Sequence, residues 1–251
     1  MKSILTLPTP LLMLAILGFV LFCLVISWGT QAVLLRLVRP ELRPIPVPPF
    51  IGVVAAAWAL ALGFAAADIW TLGAQADRAA AAERSSISRI IGASSPEALD
   101  LPAMYEAIHR YARVVSHTEW GEGLNHAPHP EVEAALQDIR IDLIAAAGSG
   151  LPDAIAGKLV QDFDELQDAR NDRLAIGQSL VDEAKWYLVA VLTMMTLISI
   201  VFVHLDRPGG GASAMIIFAT VAVASLWVLA THIQPYSQRE LGIVSASAPA
   251  V

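Results

Sequence analysis

The chain has 251 residues with a formal charge of −7, and 56% of its residues are hydrophobic, for a mean hydropathy of +0.59. That apolar excess lies beyond what soluble domains show and assigns the chain to a membrane. The acidic balance excludes nucleic acid as a partner, and Cys23, the single cysteine, excludes an internal disulfide and a cysteine-ligated metal site.

The first of four runs long enough to cross a bilayer is Leu11 to Leu35. Lys2 ahead of it would suit a secretory signal, but the run is too long for one and no small-x-small site closes it, so a retained span is expected. The connector "RPELRPIPVPPF" carries five prolines, which remove helix donors and keep the backbone extended. The second span, Phe50 to Leu72, lacks the bulk that usually faces lipid. Ala55, Ala59, Gly63 and Ala67 form one ridge at every fourth position, and Ala57, Ala61 and Ala65 form a second row. Small residues let helix backbones approach closely in a bilayer. This span is therefore expected to be covered by protein, either within a four-helix core or around the axis of a homo-oligomer. In the second case a bulky stripe of Val54, Trp58 and Leu62, or another of Leu60 and Phe64, narrows a pore. Asp68, at the end of the span, is an interface anchor, a partner for a basic neighbour or a charge at the pore mouth.

Residues 73–184 form a polar segment with about ten more acidic than basic side chains. Its first part, Gly73 to Ile91, is alanine-rich without proline and prolongs the second span as one helix beyond the membrane. A helix over "LPAMYEAIHRYARVVSHTEW" places Met104, Ile108, Tyr111 and Val115 at helical spacing. "EWGEGL" then reads as a helix end with a packed indole. A third helix from Pro130 carries Val132, Leu136, Ile139 and Leu143, and a fourth from Pro152 carries Ile155, Leu159, Phe163 and Leu166 and runs into the third span. No period-two pattern appears, so the segment is all-helical.

Three charges stand out here. Arg170 has Leu166, Gln167, Arg173 and Leu174 one turn away, Arg173 has Ala169, Arg170, Ile176 and Gly177, and Glu83 has Ala79, Ala80, Ser86 and Ile87. None meets an opposite charge on its own helix face. Because unpaired burial costs several kcal/mol, Glu83 is expected to pair with Arg170 or Arg173 across the domain, with Glu119 as a reserve partner. A spare guanidinium there could also bind an anion, against the negative surroundings.

Trp186 to Val203 and Ala212 to Ile233 are the third and fourth spans, joined by the tight turn "DRPGGG". The layout is thus two membrane hairpins, 1–72 and 185–233, a central helical domain, and a tail, 234–251, along the membrane surface. Lys and Arg near the span ends favour a cytoplasmic domain and termini and an inner-membrane location. His109, His117, His126 and His129 lack a completing ligand set and read as solvated loop or surface residues. No nucleophile triad, P-loop or dinucleotide glycine pattern is present, so neither an enzyme nor a cofactor is expected.

The order of "PFIG…LGF" in the second span, Glu83, "RYARVVSHTEW", "LQDARNDRL", Trp186, "LDRP" and "QPYS…GIVSA" resembles the bestrophin-like family of prokaryotic membrane proteins, formerly a domain of unknown function. The resemblance covers nearly the whole chain. It implies a pentameric anion channel whose second helix supplies an aliphatic and aromatic neck, here Val54, Trp58 and Leu62 or Phe64. The departures are the segment "ADIWTLGAQADR" past that helix and the stretch after the fourth span, where Glu240 is the sole carboxylate. Calcium activation is not implied. The alternative is a non-conducting membrane scaffold or sensor whose acidic domain binds a cytoplasmic partner.

Overall fold

The computed structural model describes residues 9–37, 49–122, 125–178, 183–233 and 236. Among them all regular structure is helical: α1 (Thr9–Leu37), α2 (Pro49–Ser94), α3 (Pro102–Val115), α4 (Pro130–Gly148), α5 (Asp153–Gln178), α6 (Glu183–Val203) and α7 (Pro208–Thr231). A π-helical turn, Ser116–Glu122, extends α3. α1, α2, α6 and α7 are long and apolar enough to cross a bilayer, and the chain is an all-α integral membrane protein. Proline marks where helices start. Pro49, Pro102, Pro130 and Pro208 each open one, and Pro152 directly precedes α5, because a fixed φ and a missing N–H cost nothing in a first turn.

The described residues fall into two compact units, one of residues 9–70 and 183–233, the other of 71–178 with Tyr236. α2 contributes to both as a single helix without internal proline. In the span unit, Val20, Cys23, Ala65, Ile69, Val189, Leu197, Val201 and Met215 form the core. The glycines of "DRPGGG" do not make a turn. They open α7, which begins at Pro208, and the hairpin narrows to residues 204–207. Gly211 allows this closeness, since a Cβ there would lie 2.8 Å from His204 Cβ.

The helical unit is built on Ile87 and Ile90 of α2, Met104, Ile108, Tyr111 and Val115 of α3, Val132 and Ile139 of α4, and Leu159, Phe163 and Leu166 of α5. Ile155, expected on the α5 stripe, is instead exposed, because it belongs to the first turn, short of the packed stretch. α4 stops at Gly148, and Gly150 turns the chain at φ 88°, where a side chain would be strained. Of the tail, Tyr236 is buried edge-on against Trp120, ring centroids 5.0 Å apart. The rest of the tail, the proline-rich connector and the expected junction of α5 with the third span lie outside the described residues.

Candidate functional site

Two features of the molecule carry functional weight: the bare face of α2 in the span unit and a buried set of charges in the helical unit. In α2 the 3.6-residue period sorts the side chains into an inner and an outer face. Trp58, Ala61, Ala65 and Ile69 are buried, with Val54 and Leu62 half-buried beside them. Trp58 donates its indole N–H to Thr193 Oγ1 at 2.9 Å and meets the Phe218 ring edge-on at 5.0 Å. Of the four residues expected to line a pore, three thus turn toward the chain's own spans, and only Phe64 is exposed, at 57%, on a line with Leu60 and Val53. The reason is helical phase. Phe64 lies about 160° from Leu62 and about 120° from Trp58 around the helix axis, so the second of the two bulky stripes faces outward while the first faces inward.

The small ridge winds from inside to outside. Ala55 is half-buried, while Ala59, Gly63 and Ala67 are exposed; the second row does the reverse, with Ala57 exposed and Ala61 and Ala65 buried. Ala59, Gly63, Ala66 and Trp70 of α2 line a groove of about 430 Å³ with Ala224 and Val228 of α7. Of the four spans α2 is the least covered, 22% of its apolar window against 44% for α6. Asp68 forms an ion pair with Lys185 of α6, and both side chains stay partly exposed.

In the helical unit α5 carries the two arginines to its inner face. Arg173, fully buried, donates to Glu83 through Nε at 2.6 Å and through Nη2 at 3.0 Å. It also donates to Glu119 at 2.8 Å and to the side-chain oxygen of Asn125, and lies over the Trp120 ring at 5.2 Å. Arg170 grips Glu119 at 2.5 Å and 3.2 Å and reaches the exposed Glu133 at 2.8 Å. Tyr111 donates its hydroxyl to Glu83 at 2.6 Å. Two carboxylates and two guanidiniums thus cancel inside the unit. Burial pushes the Tyr111 hydroxyl well above its ordinary value, with the Glu83 charge adding to it. Burial acts to raise the Glu119 carboxyl too, but hydrogen bonds from Arg170 and the His129 N–H, with the Arg173 charge, hold it below the ordinary range. Desolvation works against the Arg173 cation, yet the Glu83 charge and hydrogen bonds drive its pKa upward.

The local structure makes this arrangement possible. The π-helical turn closes its hydrogen bonds from i to i+5, so successive residues are separated by a smaller rotation than in an α-helix, and the sequence neighbours Glu119 and Trp120 both face inward. Asn125 adopts φ 58°, and its N–H donates to the Glu119 carbonyl at 2.7 Å. Gly177 is the counterpart on α5: a Cβ there would lie 2.1 Å from the Asn125 carbonyl oxygen. "HAPH" stays at the surface, with His126 exposed and His129 half-buried, but is tied to the unit by hydrogen bonds. His126 Nδ1 lies 3.0 Å from the Gly177 carbonyl, and His129 caps α4, its ring accepting from Glu131 N–H while its own N–H donates to Glu119 at 2.9 Å.

A family model for the bestrophin-like domain matches residues 17–244. The chain belongs to the bestrophin-like family. No curated protein matches it. Its fold is similar to that of a bacterial bestrophin homologue from Klebsiella pneumoniae, whose crystal structure carries a point mutation, with a TM-score of 0.63 at 12% identity over 94% of each chain. In this bestrophin-like chain, sequence reasoning missed Asn125, Glu133, Gly177 and the hydroxyl of Tyr111. Two of these left a signal: a lone glycine inside a helical pattern, and a tyrosine on an apolar stripe, whose hydroxyl needs a partner when buried.

Proposed function

We propose that the chain assembles as a homo-oligomeric ring in the bacterial inner membrane, with its helical domain cytoplasmic, and conducts small anions. The observation that carries this reading is the exposed ridge of α2: Ala59, Gly63 and Ala67 are uncovered by their own chain. A span without bulk gains little from lipid, whereas a neighbouring helix can approach it closely. In a ring, the small ridge faces the next copy and the line of Val53, Leu60 and Phe64 faces the axis, an apolar constriction that gates by dewetting. Bestrophin-like membership and the bacterial bestrophin fold support the reading.

Gly63→Leu separates assembly from folding, because a Cβ at Gly63 meets no atom within 4 Å in the single chain. The expected result is a well-folded monomer in native mass measurement where the wild type is a ring. Chloride flux into liposomes is expected for the wild type and is expected to change at least several-fold in Phe64→Ala. Flux equal to that of empty liposomes under several salts and pH values overturns conduction. A monomeric wild type overturns the ring.

The scaffold reading draws on Ile141 and Ile144 of α4, exposed at 54% and 67% in the helical unit. A ring without flux, together with a cytoplasmic protein cross-linked to that face, selects it.

A further inference from the structure

Gln31, late in α1, lies beside Gly211 in the first turn of α7. It is only 8% exposed, and its Nε2 is buried with no hydrogen-bond partner among the described residues. The position a Gly211 Cβ would occupy is 3.6 Å from that nitrogen. An amide donor left unpaired among apolar helices is costly, so an acceptor belongs there. The neighbouring backbone points to the same need. α7 is 24 residues long, and its N-cap, Arg207, makes no side-chain capping bond. Gly211 N–H donates to the Arg207 carbonyl at 3.1 Å, and Pro208 has no N–H. The N–H groups of Gly209 and Gly210 therefore have no acceptor among the described residues and lie at the positive end of the helix. The Arg207 side chain is 86% exposed, with Asp206 3.7 Å away.

Along the same two helices runs an apolar groove of about 450 Å³, lined by Leu17, Leu21, Leu24, Ile216, Val223 and Trp227. Gln31 beside Gly211 means that α1 and α7 are antiparallel. The groove end at Leu24 and Ile216 therefore points toward the open donors, seven residues or about 10 Å of helix from Gln31. We propose that this is a phospholipid site. One acyl chain fills the α1–α7 groove, and the phosphate diester sits on the N-terminus of α7, received by the Gly209 and Gly210 N–H groups, the Gln31 amide and the Arg207 guanidinium. The site is independent of conduction and exists equally in a scaffold.

The test is thermal unfolding of the full chain in detergent, titrated with phosphatidylglycerol, with diacylglycerol of the same chains, or with inorganic phosphate. Only phosphatidylglycerol is expected to raise the midpoint at micromolar levels. Gly209→Asp sets a carboxylate on the same donors, and its Cβ meets no atom within 4 Å. It is expected to shift the phosphatidylglycerol response about tenfold to higher concentration, and Gln31→Leu several-fold. An identical response in Gly209→Asp overturns the site. So does an equal effect of diacylglycerol, which leaves only an apolar groove, or of inorganic phosphate, which makes the ligand a free anion.

Discussion

In the span unit, few polar side chains are satisfied by another helix: Trp58 bonds Thr193 and Asp68 pairs with Lys185. The helical unit instead buries Glu83, Glu119, Arg170 and Arg173 together and satisfies them all. Different solvents explain the contrast. In water, apolar burial drives the helices together and directional contacts then select one register. In lipid, an apolar surface gains nothing by leaving the solvent, and close backbone approach through small residues decides the packing. The units differ in completeness as well. The charges of the helical unit find their partners within one chain, whereas the small ridge of α2 does not.

The largest expected effect comes from breaking the charge set. Glu83→Ala takes from Arg173 two of its three carboxylate hydrogen bonds and from Tyr111 its acceptor, all of them buried. Removing one partner of a buried pair costs about 3–5 kcal/mol, and chemical unfolding of the purified protein should lose that much. The control is Glu133→Ala: Glu133 also bonds Arg170 but is 57% exposed, and such pairs contribute about 1 kcal/mol or less. Equal losses in the two variants would mean that burial does not set the strength of these ion pairs.

A smaller effect sharpens the comparison from the membrane side. Trp58→Ala removes the indole between Thr193 and Phe218 and leaves a cavity costing about 3 kcal/mol. Trp58→Phe keeps one ring against Phe218 and removes the donor with part of the indole's volume. Thr193 remains satisfied, since its hydroxyl donates to the Val189 carbonyl at 2.8 Å, so the hydrogen-bond part of the loss should be about 0.6 kcal/mol, typical of such bonds between membrane helices, and the total should stay below that of Trp58→Ala. If the two variants lose equally, the hydrogen bond outweighs packing in the spans.

The spans were legible because a run of about twenty apolar residues has few other fates. Glu83, Arg170 and Arg173 were legible because each lacks an opposite charge one turn away, a test that needs only helical spacing. Which carboxylate meets which arginine was not. It depends on the π-helical turn that swings Glu119 inward and on the close approach of Asn125 to Gly177, both set by tertiary packing. The outward phase of α2 was hidden for a related reason. Small residues occur on several sides of that helix, so its composition alone does not say which side its own chain covers.

The smallest effect is the pH response of the helical unit. Glu119 titrates below its ordinary value in the folded chain. Its contribution is complete above the unfolded carboxylate range, near pH 4.5, and fades as pH falls through the folded value. Tyr111 titrates well above its ordinary value of 10.0. Its unfolded phenol releases a proton first, so stability falls as pH rises past about 10. The melting midpoint in detergent should therefore hold level between these limits and drop on both sides. Tyr111→Phe keeps the ring in the core and removes the ionisable hydroxyl, so the alkaline drop should shrink while the acid limb stays. An unchanged alkaline limb would mean that burial and the Glu83 charge do not hold the Tyr111 hydroxyl neutral.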